Sequence, residues 1–414
     1  MFNTGTTAFM LVATALVMLM TPGLAFFYGG LSGKKNLVSV MFQSFVALGV
    51  TTIMWYICGY SLCFSGDLTS HTDMLGGFIG NFHKCFLNGI SPSTPFPGNK
   101  DFPEFVFIAY QLMFAIITPA LITGAFKKRV TFKAYLIFLV IWQVFVYYPF
   151  AHMIWGGGFL AVHGVLDFAG GIVVHATAGF GALASVFYVG KRRDTTLVSN
   201  SLPLIAIGTG LLWFGWFGFN AGSELNVDSV TGLAFLNTHA AAAVAGMTWL
   251  FIDWYREKKP KLVGFLTGAV AGLATITPAS GFVSLKAAML IGFAAGSICY
   301  LCVMLKNKKK WDDALDVWGV HGMGGAIGTI LLGVFANHYM NSAVKTDGLF
   351  YGQTSFFMKQ VGAVAFACVY AFIFTYVVLW LINMVVRVKA TAEEEDNGLD
   401  QSLHGEKAYD DGAL

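Results

Sequence analysis

Long runs of apolar residues, separated by short polar stretches, recur from the first residues of this chain to about residue 387. A helix needs about 20 residues to cross a hydrocarbon core of about 30 Å. Runs of this length are centred near residues 18, 50, 115, 142, 180, 210, 241, 270, 295, 327 and 370. The pattern predicts an all-α integral membrane protein with eleven transmembrane helices.

The composition agrees with this prediction. Hydrophobic residues make up 56% of the 414 residues and charged residues only 11%, and there are 48 glycines. A soluble domain of this length carries more charge on its surface. No nucleophile, metal-ligand cluster or paired acid and base stands out in the sequence. We therefore expect neither an enzyme nor a cofactor.

The basic residues indicate how the chain is oriented, because Lys and Arg concentrate in the cytoplasmic loops of membrane proteins. Of the 25 basic residues, 20 lie in the tail or in alternate connections, which are Lys34-Lys35, Lys127 to Lys133, Lys191-Arg192-Arg193, Arg256 to Lys261 and Lys306 to Lys310. With an odd number of spans, this alternation predicts an N-terminus outside and a C-terminus inside. The net charge of +3 is then an orientation signal and requires no nucleic-acid partner.

Two histidines lie in apolar, glycine-rich segments, Gly171-Ile-Val-Val-His-Ala-Thr-Ala-Gly179 and Gly319-Val-His-Gly-Met-Gly-Gly325. Spans one to five and six to ten form two possible repeats, with the eleventh span as an addition. Because each repeat has an odd number of spans, the second repeat begins on the opposite side of the membrane and is inverted. Inverted repeats commonly place a transport site between the two halves. His175 and His321 should then face one another. The alternative is that each histidine only forms a hydrogen bond inside a packed bundle, although ionisable residues at bilayer depth commonly mark a transport path.

Six segments together resemble the ammonium transporter family known as Amt/Mep/Rh, nearer its Amt branch. They are Tyr110-Gln-Leu-Met-Phe114, Ala151-His-Met-Ile-Trp-Gly-Gly-Gly158, His163-Gly-Val-Leu-Asp-Phe-Ala-Gly-Gly171, Gly215-Trp-Phe-Gly-Phe-Asn-Ala-Gly-Ser223, Ile276-Thr-Pro-Ala279 and Asp316-Val-Trp-Gly-Val-His-Gly322. The resemblance extends from about the first span to the tail. It implies a multi-pass protein of the cell membrane that is a homotrimer of eleven-helix subunits, each with its own narrow pore.

The resemblance also implies roles for individual residues of the pore. His175 and His321 match the twin histidines of the family, and Phe114 and Phe219 match its stacked aromatic gate. Without the resemblance, the two phenylalanines would be interpreted as packing residues. The implied solute is ammonium or ammonia, with methylammonium as an analogue.

A second set of residues matches the outer ammonium-recruitment site and its support. Trp155 and Ser223 match the recruitment site, and Tyr110 stands where many members have phenylalanine, which would add a hydroxyl contact. Asp167 matches a buried aspartate that supports this site, and we expect it to cap a helix. Trp155 would otherwise be an interfacial anchor, and Asp167 would otherwise lie in an exposed loop.

The cost of moving an ion into an apolar pore suggests a mechanism. A charged residue at mid-bilayer costs about 2.5 to 3.5 kcal/mol on insertion scales. Ammonium avoids this cost if it releases its proton, crosses as ammonia and is protonated again below. Neutral imidazoles that share a hydrogen bond are able to relay the proton. The hypothesis is net ammonium flux with ammonia and the proton on separate routes.

The sequence becomes polar after Arg387, which divides the chain into a membrane domain, 1–387, and a cytoplasmic tail, 388–414. By composition alone the tail is a solvated, partly disordered end. His404, Gly405, Glu406 and Tyr409 nevertheless resemble the regulatory tail of Amt proteins. The resemblance implies docking of a PII-type nitrogen-signalling protein.

Two other functions fit the same resemblance. One is an ammonium sensor with little or no transport, which the absence of sequence for a fused kinase or cyclase before Leu414 disfavours. The other is an Rh-type gas channel, which the aromatic residues Trp155, Phe114 and Phe219 disfavour. The sequence assigns no function to the outer loop, residues 66–103, beyond that of a lid or a trimer contact.

Overall fold

The structure is a computed structural model that describes residues 1–66, 75–195 and 199–409. The bundle helices, in chain order, are α1 Thr4–Gly30, α2 Lys34–Phe64, α3 Glu104–Ile122, α4 Phe132–Val162, α5 Gly171–Val189, α6 Leu202–Glu224, α7 Ser229–Glu257, α8 Leu262–Ile276, α9 Leu285–Lys309, α10 Trp318–Phe335 and α11 Thr354–Val385. Helix α4 is interrupted by a turn over residues 155–158. Short helical segments in the tail are α12 Ala392–Asn397 and a π-helical turn, Asp400–His404.

Every predicted apolar run falls on one of these helices. Among the described residues, ten helices are long and apolar enough to cross a membrane. The run near residue 270 forms α8, whose 15 residues make it shorter than the others. The chain is therefore a mostly helical, multi-pass membrane protein by length and composition, and the count of eleven spans stays a prediction.

One part of the outer loop is not helical. Strands β1, Pro95–Phe96, and β2, Asn99–Pro103, form an antiparallel hairpin. Its turn contains Pro97 and Gly98, a dipeptide that typically forms turns. The Phe96 ring stacks on Phe107 of α3 at a centroid distance of 3.9 Å. The hairpin is thus fixed to the bundle, whereas residues 67–74 of the same loop lie outside the described residues.

Glycine allows the two histidine-bearing helices, α5 and α10, to approach closely. Each histidine is followed four residues later by a glycine that faces the other helix. A Cβ atom on Gly179 would collide with the backbone of Gly322, and one on Gly325 would lie 2.8 Å from the Cβ of His175. Small residues permit such backbone contacts between membrane helices. The crossing therefore fixes the two histidines beside each other.

The basic connections meet at one face of the bundle. Asp312 accepts a hydrogen bond of 2.6 Å from Arg192 and lies 3.5 Å from Arg129, and all three side chains are buried. Burial alone raises the pKa of Asp312, but the hydrogen bond from Arg192 and the charge of Arg129 hold it below its ordinary value. This buried ion cluster joins three of the basic connections, as expected if they share the cytoplasmic side.

The tail folds back onto this face. Its composition predicted a solvated, partly disordered end, and the structure differs from that prediction. The Asp400 carboxylate accepts hydrogen bonds from the N–H groups of Val38, at 3.1 Å, and Ser39, at 2.8 Å, in the first turns of α2. Carboxylates are stabilised at helix N-termini by the free N–H groups and the helix dipole. Specific contacts that composition does not encode therefore hold the tail in place.

The four residues singled out in the tail lie within or just after its π-helical turn. The His404 ring packs between Phe42 and Phe132, at centroid distances of 5.2 and 5.0 Å. Gly405 ends the turn with a φ of 68°, a left-handed conformation that favours glycine. Glu406 is exposed, and the Tyr409 hydroxyl accepts a hydrogen bond from Asn200. Residues 410–414 of the predicted tail lie outside the described residues.

Candidate functional site

The structure brings His175 and His321 together in the interior of the bundle. Their ring centroids lie 5.3 Å apart with an angle of 24° between the planes. The side chains are 1% and 4% exposed. Both ring nitrogens of His175 and the Nδ1 of His321 have no hydrogen-bond partner among the described residues. Buried polar atoms usually have a partner, so this arrangement suits a passing molecule that donates or accepts hydrogen bonds.

A narrow cavity of about 10 Å³ adjoins the two rings. This volume is about that needed for one water molecule. Apart from the two histidines and Trp216, the described residues that line the cavity are aliphatic or phenylalanine; they are Met20, Leu24, Phe27, Ile117, Leu121, Val174, Leu212, Phe219 and Val270. The Trp216 ring stacks on His175 at 5.4 Å. The passage is therefore too apolar to replace the hydration of an ion.

Two phenylalanine rings separate this passage from a larger cavity. Phe114 lines the larger cavity and Phe219 lines the narrow one. Their ring centroids are 4.3 Å apart with a tilt of 32°. The Phe219 ring also stacks near the His175 ring, with 6.0 Å between their centroids. A solute that goes from the larger cavity to the histidines must therefore displace these rings or wait for them to move.

The larger cavity, called the outer cavity below, has a volume of about 390 Å³ and is lined by both Trp155 and Ser223. The Trp155 indole N–H donates to the backbone carbonyl of Asp167 at 2.9 Å, and its ring meets Phe114 edge-on at 5.6 Å. The Ser223 hydroxyl donates to the carbonyl of Phe219 at 2.8 Å. The aromatic faces and the hydroxyl oxygen together offer contacts that a small cation can use.

Tyr110 lies beside Phe114 and is not among the described residues that line the outer cavity. Its side chain is fully buried, and its ring packs on Phe114 at 5.0 Å. The hydroxyl lies 2.9 Å from the carbonyl oxygens of both Gly218 and Phe219, and 3.2 Å from the Ser223 Oγ. The extra hydroxyl thus holds the end of α6 in place, and the structure does not bring it to the cavity wall.

Asp167 caps the start of α5. Its two carboxylate oxygens accept four backbone N–H groups at 2.6 to 3.1 Å, from Gly170, Gly171, Ile172 and Val173. Burial raises the pKa of Asp167, and the four donors act to lower it. One residue therefore fixes both the helix that carries His175 and, through its carbonyl oxygen, the Trp155 ring.

Asp313 occupies a corresponding position before α10, and we did not predict it from the sequence. Its carboxylate accepts the N–H groups of Val317 at 3.1 Å and Trp318 at 2.8 Å. Burial raises its pKa to about 6. Asp167 precedes His175 by eight residues, and Asp313 precedes His321 by the same number. This shared spacing in the two halves is a signal that would have identified Asp313.

A third cavity, of about 180 Å³, opens on the other side of the histidines. His321 and Phe27 line both this cavity and the narrow passage. Asp316 also lines it and forms an ion pair with Lys306. The outer cavity, the two phenylalanine rings, the narrow cavity and this third cavity, called the inner cavity below, thus follow one another from one face of the bundle to the face with the basic connections.

Comparison with known proteins shows which family the chain belongs to. A model of the Ammonium Transporter Family matches residues 8–409. The chain is 45% identical to an ammonium transporter of Aquifex aeolicus, over 98% of this chain and 94% of that protein. The chain belongs to the ammonium transporter family. It is also 44% identical to a putative ammonium transporter of Methanothermobacter thermautotrophicus, over 99% of both proteins.

Solved structures of the ammonium transporter family share the fold. Mep2 of Candida albicans superposes with a TM-score of 0.87 at 34% identity, over 95% of this chain and 88% of that one. A protein described as a sensor Amt protein superposes with a TM-score of 0.84 at 28% identity, over 95% of this chain and 97% of that one. The chain therefore shares its fold with Mep2 and with a protein described as a sensor.

Proposed function

We propose that this member of the ammonium transporter family recruits ammonium in the outer cavity, removes its proton and conducts ammonia past His175 and His321. The observation that carries the proposal is the stacked histidine pair at a passage that is otherwise apolar. An intact ion finds no replacement for its water there, and its transfer is costly. A neutral molecule with N–H donors and a lone pair meets imidazole nitrogens that have no partner among the described residues.

Recruitment uses the aromatic rings at the bottom of the outer cavity. An aromatic face attracts a cation by about 0.5 to 2 kcal/mol, and Trp most strongly. Trp155 supplies the largest ring, and the lone pairs of the Ser223 Oγ accept hydrogen bonds from ammonium. Asp167 has no contact with the ion in this proposal, because its oxygens are occupied by the backbone of α5.

Deprotonation follows at the gate. One N–H bond of ammonium breaks, the electron pair stays on nitrogen, and neutral ammonia crosses the narrow passage. The proton takes a separate route that includes the two imidazoles, each of which has one nitrogen to accept and one to donate. Their rings must first turn toward each other, because neither nitrogen of His175 has a hydrogen-bond partner among the described residues. Ammonia takes up a proton again in the inner cavity, so that the net transfer is one ammonium ion.

Two alternatives differ from this function in what crosses the membrane. A sensor of the same fold carries little or no flux, and an Rh-type gas channel carries a neutral gas without charge. Ammonium-evoked current across liposomes that contain the purified protein is expected only for the proposed transporter. Protein that binds ammonium without current would favour the sensor.

The proposed setting is a homotrimer of eleven-helix subunits in the plasma membrane. The proposed orientation has the N-terminus outside and the C-terminus inside, supported by the basic connections that gather on the tail side. The proposed repeat relates α1–α5 to α6–α10. It is supported by the π-helical turns of both histidine segments and by the shared aspartate spacing. Native mass spectrometry that detects a species other than three copies would contradict the trimer.

We also propose that the tail, 388–414, regulates transport by docking a PII-type signalling protein. Support comes from its fold on the cytoplasmic loops, where His404 and Asp400 hold it against α2. The cognate PII protein is expected to bind the purified transporter in a manner that depends on nucleotide and 2-oxoglutarate. A His404→Ala variant, which loses both ring contacts, should bind more weakly. Absence of binding by the unmodified transporter under every condition would contradict the partner.

A further inference from the structure

Glu224 occupies an unusual place at the end of α6. The helix finishes with a tight turn, Gly222–Glu224, and Leu225 then adopts a left-handed conformation with a φ of 56°. The side-chain N–H of Asn99, in the outer hairpin, donates to the Leu225 carbonyl at 2.8 Å. The hairpin therefore holds the turn that carries Glu224.

The fold itself gains little from a carboxylate at this position. The C-terminal end of a helix carries partial negative charge, which disfavours an anion. Asp228 adds a second negative charge nearby. Among the ion pairs of the described residues, none includes Glu224. A mobile cation would compensate this charge.

The outer cavity is where such a cation is available. Glu224 lines this cavity together with Trp155, Ser223 and Phe114. A carboxylate at the cavity wall supplies what the aromatic rings lack, which is a full negative charge that accepts N–H bonds. It therefore raises the local concentration of small cations next to the gate.

A second acceptor in the same cavity has no partner. Gln111, one turn before the gate residue Phe114, also lines the outer cavity and is only 7% exposed. Its Oε1 atom is buried without a hydrogen-bond partner among the described residues. Leaving a buried amide oxygen unpaired is costly. The atom has almost no accessible surface, so a cation with several N–H groups would satisfy it once the Gln111 side chain turns toward the cavity.

The geometry points to Glu224 and the Gln111 Oε1 as an additional acceptor pair for ammonium in the outer cavity, beyond the aromatic and serine contacts. The proposal rests on the proposed transport function and deepens it. Glu224 supplies charge and Gln111 supplies a neutral acceptor, so the two are expected to contribute to apparent affinity and not to the rate of passage through the narrow part.

The test compares Glu224→Gln with the unmodified protein in liposomes, by ammonium-evoked current as a function of ammonium concentration. Removing one charge from a partly buried site is expected to raise the half-saturating concentration about threefold to tenfold, with the maximal current retained. Glu224→Asp keeps the charge, and its half-saturating concentration should lie between those of the unmodified protein and Glu224→Gln. Asp101→Asn, which removes an exposed charge from the same outer hairpin but not from the cavity wall, should leave the value unchanged.

A second readout separates failure of this site from failure of the transport function. The Tm of the purified protein is measured with ammonium chloride against choline chloride, which requires no flux. A Tm rise that is smaller in Glu224→Gln supports the site even if no current is found. The site would be overturned if the unmodified protein and Glu224→Gln had equal half-saturating concentrations and equal Tm rises. It would also be overturned if Asp101→Asn lost as much apparent affinity as Glu224→Gln.

Discussion

Replacing either histidine of the pair with alanine is expected to destroy selective ammonium transport. In His175→Ala or His321→Ala, ammonium-evoked current should fall at least about tenfold, because loss of a buried hydrogen-bonding partner costs about 1 to 3 kcal/mol. The space left by the ring also admits water, so any residual current is expected to be carried partly by potassium. Both quantities come from current measurements on liposomes with the purified variants.

His239 provides a matched control for these variants. It also lies within a long apolar helix, α7, but it is exposed on the outside of the bundle, with its ring 5.5 Å from that of Trp213. His239→Ala should retain the ammonium current and the exclusion of potassium. Wild-type current and wild-type selectivity in both pore variants would contradict the proposed role of the imidazoles.

Replacement of Asp167 is expected to have the largest effect on stability. In Asp167→Ala, four buried N–H groups lose their acceptor, and hydrogen bonds to charged groups are worth about 1.5 to 3 kcal/mol each without being additive. The free energy of unfolding should therefore fall by roughly 3 to 5 kcal/mol. A lower Tm of the detergent-solubilised protein and a loss of current are the expected results, because α5 and Trp155 both depend on this residue.

Two further variants test whether loss of the helix cap causes the lower stability of Asp167→Ala. Asp313→Ala removes only two accepted N–H groups and should lower Tm less. Asp396→Ala breaks an exposed ion pair with Arg193, and its loss is expected to lower the free energy of unfolding by about 1 kcal/mol or less. If Asp167→Ala were no less stable than Asp396→Ala, the cap would not be the support that we infer.

Features with a strong local signal could be predicted from the sequence. A bilayer requires long apolar helices, and each predicted run became one, although α8 is short because its segment ends in the turn after Ile276. The proximity of His175 and His321 was also predicted, from the proposed inverted repeat, and the two rings do lie close together. The close approach of α5 and α10 had its signal in the glycines at the fourth position after each histidine.

Features that depend on three-dimensional packing could not be predicted. Whether the Tyr110 hydroxyl faces the outer cavity or the carbonyls of α6 depends on a rotation that no pattern of residues encodes. The sequence alone indicates that Glu224 is one more polar loop residue. It lines the cavity because it lies in the turn that Asn99 holds. The tail was misjudged by composition because a few contacts, such as those of Asp400, outweigh its overall polarity.

The most direct test of the account is the ratio of ammonium-evoked to potassium-evoked current in the same liposomes that contain the unmodified protein. The two ions have similar size, but only ammonium is able to release a proton. The cost of about 2.5 to 3.5 kcal/mol for a charge at mid-bilayer corresponds to about a hundredfold difference in rate. We predict an ammonium current at least about a hundredfold larger than the potassium current. Potassium current of comparable size would contradict passage by deprotonation.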